Sequence, residues 1–265
     1  MFRKIKLHPP SHRKIVVTGS ASGIGAATTR LLQTSGIEVI GVDLRDATVI
    51  ADLATPDGRE TMLRSVREIT GRIDGIVACA GVAHAGGPEL IIRLNYFGAV
   101  ATLNGLRPLL VESDAPRAVA IASRAVLHPC DPATLDACLA GDEAAAVAAA
   151  LAYRGNVYAC SKRALARWVR RSAPSPEWAG ADIPLNAVAP GAIRTPMIEH
   201  MLSDPEARRD LDRRGPMPLQ GLGEPEDVAH LLVWLVSPEN TLTTGQVIFI
   251  DGGSDAVLRG DDVWG

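Results

Sequence analysis

The stretch Thr18-Gly19-Ser20-Ala21-Ser22-Gly23-Ile24-Gly25 decides the fold of this 265-residue chain. It follows Lys14-Ile15-Val16-Val17, a mostly apolar run rich in β-branched residues that predicts a buried strand, and it precedes a segment with helical periodicity. Glycine allows close backbone approach to a ligand, and a helix N-terminus offers unpaired N–H groups to an anion. The stretch therefore predicts a pyrophosphate-binding loop, with candidate contacts at Gly19, Ser22, Gly23, Ile24 and Gly25.

Apolar runs continue the order of strand, then helix, along the rest of the chain. The predicted strands after the first one are Glu38–Asp43, Ile73–Ala78, Ala118–Ala122, Leu185–Ala189 and Gln246–Ile250. Because parallel strands need crossover connections, this order predicts an α/β fold: a doubly wound parallel sheet with helices on both faces. No break in composition divides the chain, so we expect a single domain over residues 13–265, preceded by a flexible arm over residues 1–12.

Two segments depart from this simple alternation. Residues 128–155 are rich in alanine and predict at least one extra helix. This insertion is either a surface element without chemistry, or a wall of the substrate cleft or an oligomer contact. Residues 196–220 predict a substrate lid, although methionine and leucine at helical spacing are also typical of an ordinary core. Methionines and leucines of this lid include Met197, Met201, Leu202, Met217 and Leu219.

Bulk properties narrow the possible functions. The net charge of -3 provides no overall attraction to nucleic acid or to an anionic membrane. The four cysteines show neither a Cys-x-x-Cys pair nor the spacing of metal ligands, which predicts free thiols and no metal. No apolar run has the length of a signal peptide or a bilayer span. We therefore expect a soluble cytoplasmic protein that acts on a small molecule.

Asp43, at the end of the second predicted strand, predicts the choice of dinucleotide. A carboxylate at this point can accept hydrogen bonds from the adenosine ribose hydroxyls and repels a 2′-phosphate. Arg45 is near, but no basic residue occupies Ser20 or Ala21 to offset the repulsion. This pattern favours NAD over NADP as the cofactor; the alternative is that Asp43 only caps a turn.

Tyr158 and Lys162 form the candidate acid–base pair. Their spacing puts them on one helix face, with Cβ atoms about 6 Å apart. A phenol is a poor base at neutral pH, and a neighbouring cation favours its ionised form. Ser123 follows the predicted strand Ala118–Ala122, at the edge where parallel sheets bind ligands, and its hydroxyl could donate to a substrate oxygen. The alternative for Ser123 is a strand cap.

Together these motifs resemble the short-chain dehydrogenase/reductase family. The glycine spacing matches the family's cofactor loop, and Asn95, Ser123, Tyr158 and Lys162 stand in family order. The resemblance implies a Rossmann fold in which Tyr158 transfers a proton and Lys162 lowers the Tyr158 pKa and binds the nicotinamide ribose. It further implies that Ser123 steadies the substrate oxygen and that Asn95 holds water in a proton relay; a satisfied core amide is the alternative for Asn95.

The resemblance also assigns cofactor contacts. Asp52-Leu53 would contact adenine, Ala80-Gly81 would let the adenine ribose approach, and the loop containing Pro190, Gly191, Ile193 and Thr195 would hold the nicotinamide carboxamide. Asp251-Gly252-Gly253 resembles a closing motif with a structural role. Ala78-Cys79 replaces the family's usual pair of asparagines, which puts the side-chain stabilisation of that strand in doubt.

The function implied by the resemblance is reversible NAD-dependent interconversion of a secondary alcohol and a ketone. Shared motifs and the long interval between Ser123 and Tyr158 resemble the hydroxysteroid dehydrogenases of the family, which implies a hydroxysteroid or another hydrophobic alcohol, and a homodimer or homotetramer. One alternative is a non-enzymatic NAD-binding sensor on the same fold. A sugar-nucleotide epimerase or dehydratase is a second, less fitting because of its glycine spacing and larger C-terminal domain.

Arg124 follows Ser123 where the family usually has a small residue. Two orientations of its side chain remain open from the sequence. The guanidinium points away from the cleft into a salt bridge, or it faces the cleft, where it would favour an anionic substrate.

Overall fold

The computed structural model describes residues 13–83, 86–199, 203–219 and 221–264. Within these ranges a seven-stranded, wholly parallel sheet has the order β3-β2-β1-β4-β5-β6-β7. Its strands are β1 (Lys14–Thr18), β2 (Glu38–Asp43), β3 (Val49–Ile50), β4 (Gly75–Ala78), β5 (Arg117–Ile121), β6 (Leu185–Pro190) and β7 (Val247–Ile250). The doubly wound sheet predicted from the sequence is confirmed. The predicted arm over residues 1–12 lies outside the described residues.

Helices connect the strands as crossovers. The α-helices are α1 (Gly23–Thr34), α2 (Pro56–Ile69), α3 (Gly87–Ile92), α4 (Ala99–Val111), α5 (Pro132–Ala140), α6 (Glu143–Ala152), α7 (Val157–Ser172), α8 (Pro205–Arg214), α9 (Pro225–Leu235) and α10 (Ser254–Arg259). A π-helical turn, Arg93–Gly98, joins α3 to α4, and short 3₁₀ turns cover Arg124–Leu127, Ala179–Ala181 and Asp262–Trp264.

Two apolar clusters cover the two faces of the sheet. Because neighbouring strand residues point to opposite faces, Val16 belongs to the cluster beneath α2, α4 and α7, whereas Ile15 and Val17 belong to the cluster beneath α1 and α9. All three side chains have no exposed surface. Burial on both faces explains why the strands appear in the sequence as continuous apolar runs.

The strand order reverses at β1, and this reversal positions the site. Val17 lies beside Gly41 of β2 on one side and beside Val77 of β4 on the other. The chain leaves β1 and β4 toward opposite edges of the sheet, which opens a crevice at the carboxyl ends of these two strands. Open α/β sheets bind ligands in such a crevice.

The insertion between Ser123 and Tyr158 contains two helices, α5 and α6, where the sequence predicted at least one. Asp131 caps α5 by accepting from the Thr134 amide at 2.9 Å, and Asp142 caps α6 by accepting from the Ala145 amide at 2.9 Å. Gly141 separates the two helices with a φ of 77°, a left-handed conformation that favours glycine.

An ion-pair cluster ties this insertion to the main sheet domain. Glu143 at the start of α6 binds Arg59 of α2 through both carboxylate oxygens, at 2.7 and 2.8 Å, and binds Arg93 at 3.0 Å. Arg59 also donates to the Leu53 and Ala54 carbonyls. The insertion is therefore fixed to the loop that follows β3.

The cysteines, membrane-spanning helices and metal-binding groups were also subjects of prediction. All four cysteines are free. In the described part of the chain, no helix combines the length and the apolar character needed to cross a membrane. Over the same residues, no group of three acidic, histidine or cysteine side chains is arranged to hold a metal ion.

Candidate active site

The glycine loop forms one wall of the site. Gly19 has a φ of 69°, and a Cβ built on it would lie 2.9 Å from the backbone of Ala80 at the end of β4. A Cβ on Gly25 would overlap the carbonyl oxygen of Gly19. Side chains at these positions would distort the turn, and their absence leaves a backbone cradle at the N-terminus of α1. This cradle fits the phosphates of a dinucleotide.

Thr18 fastens the two strands that border the crevice. Its hydroxyl oxygen accepts from the amides of Cys79, at 3.0 Å, and Ala80, at 3.1 Å. The asparagines that usually stabilise this segment are missing at Ala78-Cys79. The Thr18 hydroxyl, at the end of the neighbouring strand β1, provides side-chain stabilisation in their place. Thr18 had no predicted role, although its place directly before the first glycine was a usable signal.

A cavity of about 660 Å³ extends from the glycine loop to the carboxyl end of β5. Most of the residues predicted to bind the cofactor line it: Gly19, Ser22, Gly23, Ile24, Gly25, Ala80, Gly81, Pro190, Gly191, Ile193 and Thr195. Three predicted catalytic residues, Ser123, Tyr158 and Lys162, line the same cavity. The structure thus brings together parts of the chain that are far apart in sequence.

Asp43, Asp52 and Leu53 do not line this cavity. The Asp43 carboxylate accepts from the amides of Ala21, at 3.0 Å, and Leu44, at 2.7 Å, which places it against the glycine loop. It therefore does cap local backbone, the alternative left open by the sequence. Asp52 accepts from the Ala54 amide at 2.9 Å, and Leu53 is buried. The proposed adenine contact of this pair remains a prediction.

Tyr158 lies in the first turn of α7, which begins after the capping residue Asn156. Its side chain is half-buried. Burial raises the pKa of Tyr158 above its ordinary value, and a hydrogen bond with Ser123 and the positive charge of Arg124 partly oppose this rise. Burial therefore favours the protonated phenol, whereas Ser123 and Arg124 favour its ionised form.

Lys162 is buried one turn further along α7. Its ammonium donates to the main-chain carbonyl of Ile121 at 2.8 Å and lies 5.9 Å from the centre of the Tyr158 ring. Burial lowers the pKa of Lys162 to about 8. The positive charge of Arg124 acts to lower the Tyr158 pKa, against the larger effect of burial. The same role, which the family resemblance implies for Lys162, remains a prediction.

Ser123 follows β5 and begins the 3₁₀ turn Arg124–Leu127. Its hydroxyl oxygen accepts from the Ala125 amide at 3.1 Å, so it is a cap as well as a partner of Tyr158. The cap fixes the direction of the side chain. The hydroxyl proton can then be donated toward the phenol or toward a substrate oxygen beside it.

Asn95 lies in the π-helical turn between α3 and α4 and is completely buried. Its amide oxygen accepts from the Val82 amide at 2.9 Å, and its amide nitrogen donates to the Val82 carbonyl and to Ser161. A Cβ on Gly81 would lie 2.9 Å from this amide oxygen and 3.3 Å from the Lys162 ammonium. The side chain therefore supports the cavity wall beside Lys162, the satisfied core amide that the sequence allowed, and does not line the cavity.

Arg124 is among the residues that line the cavity, and within the described residues its guanidinium forms no salt bridge. The guanidinium donates to the Ser254 hydroxyl at 2.9 Å. Burial lowers the pKa of Arg124, and the charge of Asp251 opposes that shift. The sequence identified Arg124 as unusual, but the direction of its side chain depends on the packing of α10 and could not be inferred.

The predicted lid is only partly placed at the cavity. Met197 lines it, whereas Met217 packs on Gly191 and Gly252, and Leu219 is exposed. Met201 and Leu202 lie outside the described residues. Ala207 and Asp210 of α8 complete this side of the cavity.

The fold and this cavity define a class of protein: a dinucleotide-binding oxidoreductase with a tyrosine–lysine pair beside the cofactor cradle. Comparison with known proteins agrees. The family model for short chain dehydrogenase matches residues 13–131, and the model described as Enoyl-(Acyl carrier protein) reductase matches residues 137–255. The chain belongs to the short-chain dehydrogenase/reductase family, as its motifs predicted.

Two characterised enzymes are similar to this chain over most of their length. The chain is 39% identical to 3-alpha-hydroxysteroid dehydrogenase/carbonyl reductase of Comamonas testosteroni, covering 92% of this chain and 97% of the relative. It is 29% identical to coniferyl-alcohol dehydrogenase of Pseudomonas sp. (strain HR199 / DSM 7063), covering 92% and 96%.

A solved structure of 3-alpha-hydroxysteroid dehydrogenase from Pseudomonas sp. B-0831, complexed with NADH, has a TM-score of 0.87 and 41% identity. The match covers 94% of this chain and 99% of that one. The predicted resemblance to hydroxysteroid dehydrogenases is confirmed. Membership of this oxidoreductase family also favours an enzyme over the non-enzymatic NAD-binding alternative.

Proposed function

We propose that this protein catalyses the reversible, NAD-dependent interconversion of a secondary alcohol and a ketone. The observation that carries this proposal is the convergence of Ser123, Tyr158 and Lys162 on the cavity that the glycine loop borders. A protein that only binds a dinucleotide has no use for a hydroxyl and a phenol at the end of β5. When bound, NAD accepts or returns the hydride, and the protein supplies binding, orientation and proton transfer.

The glycine loop and α1 would hold the phosphates, and the loop after β6 would hold the nicotinamide end through Ile193 and Thr195. During alcohol oxidation the Tyr158 oxygen takes the substrate hydroxyl proton; during ketone reduction it gives the proton back. Ser123, fixed by its cap on Ala125, donates to the substrate oxygen as negative charge develops there.

Lys162 keeps a polar, cationic environment beside the nicotinamide ribose. Its link to Ile121 leaves further N–H donors of the ammonium for the ribose hydroxyls, since an ammonium carries three. Asn95 has its side chain occupied by Val82 and Ser161, so a relay from Lys162 would use the main chain or water near Asn95 and not its side-chain amide. Its role is thus to position, through Gly81 and Val82, the wall that Lys162 lies against.

NAD is the proposed cofactor because of Asp43. Its carboxylate is held at the edge of the glycine loop by two backbone amides and has no cation as a partner among the described residues. A 2′-phosphate would meet this negative charge, whereas ribose hydroxyls would donate to it. The solved relative bound to NADH is consistent with this choice.

A hydrophobic cyclic alcohol, such as a hydroxysteroid, is the proposed substrate type. Met197 and Ile198 contribute apolar surface to the cavity, and the names of the relatives include a hydroxysteroid dehydrogenase. The segment 196–220 is proposed to cover this substrate, in the single catalytic domain over residues 13–265.

We further propose a homodimer or homotetramer. The insertion has an exposed apolar side chain, Leu151, at the end of α6. Light scattering measures the molar mass of the wild type and of Leu151→Arg, and a smaller mass for the variant is expected if this helix contributes to an interface. A monomeric wild type would contradict the proposed oligomer.

The function is tested by mixing the protein with NAD and a panel of hydroxysteroids, cyclic alcohols and hydroxy acids while following NADH absorbance. Turnover of at least one secondary alcohol, with NADP markedly poorer, is the expected result. A protein that binds NADH yet turns over no member of the panel, in either direction, contradicts the proposal and supports a binding-only role.

A further inference from the structure

Arg124 is a positively charged residue in the lining of the cavity. It follows Ser123 directly and lines the same cavity as Tyr158, yet its side chain is only 7% exposed. Among the hydrogen bonds of the described residues, its guanidinium makes a single one, to the Ser254 hydroxyl. A guanidinium has five N–H donors in a planar fork, so most of them are left for a ligand.

The carboxylates near Arg124 are committed elsewhere. Asp251 accepts from the amides of Gly253, at 3.1 Å, and Asp255, at 2.7 Å, at the start of α10. Asp210, on the opposite wall, accepts from Arg213 at 3.1 Å. Within the described ranges, no carboxylate lies at ion-pair distance from Arg124. Charges this buried are normally paired, which points to a partner that arrives with the ligand.

The surrounding backbone leaves room for this guanidinium. A Cβ built on Gly215, just after α8, would overlap the Arg124 guanidinium. Gly215 is itself buried. The guanidinium therefore packs against backbone that has no side chain, between Gly215 and Ser254. A planar fork fixed in this way is suited to a carboxylate, which it can bind through two parallel hydrogen bonds.

We propose that Arg124 binds a carboxylate of the substrate, so that the enzyme acts on hydroxy acids and the corresponding keto acids. The inference rests on the proposed function and specifies its substrate class: an apolar ring or chain that bears a secondary hydroxyl and a carboxylate. The carboxylate is unchanged in the reaction. The carbinol carbon loses a hydride to NAD and its hydroxyl loses a proton to Tyr158, which gives the ketone.

The first test is binding, measured without turnover. The protein saturated with NADH is titrated with the carboxylates acetate and benzoate and with their neutral analogues acetamide and benzamide. We expect the wild type to bind the carboxylates about 10- to 100-fold more tightly, the range of a charge-assisted hydrogen bond. Arg124→Gln should lose this preference, whereas Arg259→Gln, which removes the same charge from an exposed pair with Asp255, should keep it.

A second variant separates loss of the guanidinium from its displacement. Gly215→Ala keeps Arg124 but fills its place, so it should also weaken carboxylate binding, while thermal melting of all variants reports whether they fold. A wild type that does not distinguish carboxylates from amides, or an Arg124→Gln variant that still does, overturns the proposal.

Measurements of turnover distinguish carboxylate binding by Arg124 from the dehydrogenase function itself. A hydroxycyclohexanecarboxylate and its methyl ester are compared as substrates with NAD. If the ester is turned over as well as the acid by the wild type, the role of Arg124 is overturned while the dehydrogenase function stands. If neither is turned over, nor any other alcohol of the panel, the dehydrogenase function fails, and the binding titrations still decide whether Arg124 receives a carboxylate.

Discussion

The ammonium of Lys162 donates to the main-chain carbonyl of Ile121 at 2.8 Å, so this buried cation is tied to β5 and not to the Tyr158 phenol. A second cation, Arg124, opposes the rise in the Tyr158 pKa that burial causes. Two buried cations thus line the cavity that contains Tyr158, with separate partners, and each has consequences that can be measured.

The first consequence concerns stability and pH. Burial holds the pKa of Lys162 near 8, below its ordinary 10.5. Between these values the unfolded chain binds a proton that the folded protein does not, so the free energy of unfolding rises with pH across this window. Lys162→Met should remove that rise. Urea unfolding at pH 7.5 and 9.5 measures this rise. An equal change in the free energy of unfolding between the two pH values, in the wild type and in the variant, would show that Lys162 is not the cause.

Tyr158→Phe should abolish turnover and leave NADH binding intact. The substitution removes the oxygen that carries the proton but keeps the ring, so a loss of about 10²- to 10⁴-fold in kcat is expected. NADH fluorescence titration provides the control for folding and cofactor binding. Near-normal turnover in Tyr158→Phe would place the acid–base group elsewhere.

The raised pKa of Tyr158 gives the direction of the pH profile. Oxidation requires the ionised phenol and reduction requires the protonated one, so kcat/KM for oxidation should increase with pH while kcat/KM for reduction decreases. Arg124→Gln removes a charge that favours ionisation, which should move both profiles to higher pH. Profiles that stay in place would mean that the Arg124 charge does not reach the phenol.

Asp43→Ser should shift the choice of cofactor. Removing the carboxylate takes away both the acceptor for ribose hydroxyls and the repulsion of a 2′-phosphate. We expect kcat/KM with NAD to fall about tenfold or more and that with NADP to rise, as tenfold corresponds to about 1.4 kcal/mol. Asp46→Ser, in the same loop, is the matched control. An unchanged ratio between the two cofactors would assign Asp43 to turn capping alone.

Glu143→Gln should loosen the attachment of the insertion. Burial raises the pKa of Glu143, but hydrogen bonds and charges from Arg59 and Arg93 outweigh it and hold the pKa below 4.5. The pair with Arg59 is mostly buried, so losing the carboxylate should cost about 2 kcal/mol, less than for a fully buried pair. Glu89→Gln, an exposed partner of Arg93, should cost less than about 1 kcal/mol.

Urea unfolding of the two variants distinguishes these values, provided both keep the same dependence on denaturant. The stability that Glu143 provides should be lost as the pH falls through its lowered pKa. Equal, small losses for both variants would mean that the insertion is held mainly by its apolar contacts.

The sequence predicted the sheet closely because its strands are buried on both faces. Glu38–Asp43 has the same bounds in prediction and structure, since a β-branched run there ends at a charged residue. The two helices of the insertion agree with the prediction of at least one, but their number was not predicted: Gly141 and Asp142 end one helix and cap the next, whereas alanines are frequent on both sides. The π-helical turn at Asn95 was not predicted, because its six residues are too few to establish a period of their own.

The catalytic and cofactor residues were located from motifs, but their partners were not. That Lys162 bonds Ile121, or that Arg124 rests on Gly215, depends on residues brought together only by the packed sheet and α10. Sequence spacing places side chains on the same face of a helix. It does not say which carbonyl or hydroxyl comes from the opposite wall.

The Thr18 hydroxyl accepts from two amides of the neighbouring strand, and this bond sets the width of the gap in which a dinucleotide would lie. A single hydroxyl oxygen thus links the carboxyl ends of β1 and β4, and it holds them at a fixed separation independently of the loops that follow. Thr18→Ser would keep the hydroxyl oxygen and therefore both hydrogen bonds. Valine, with the same shape and no acceptor, would leave the amides of Cys79 and Ala80 without this partner, at the point where the cofactor would bind.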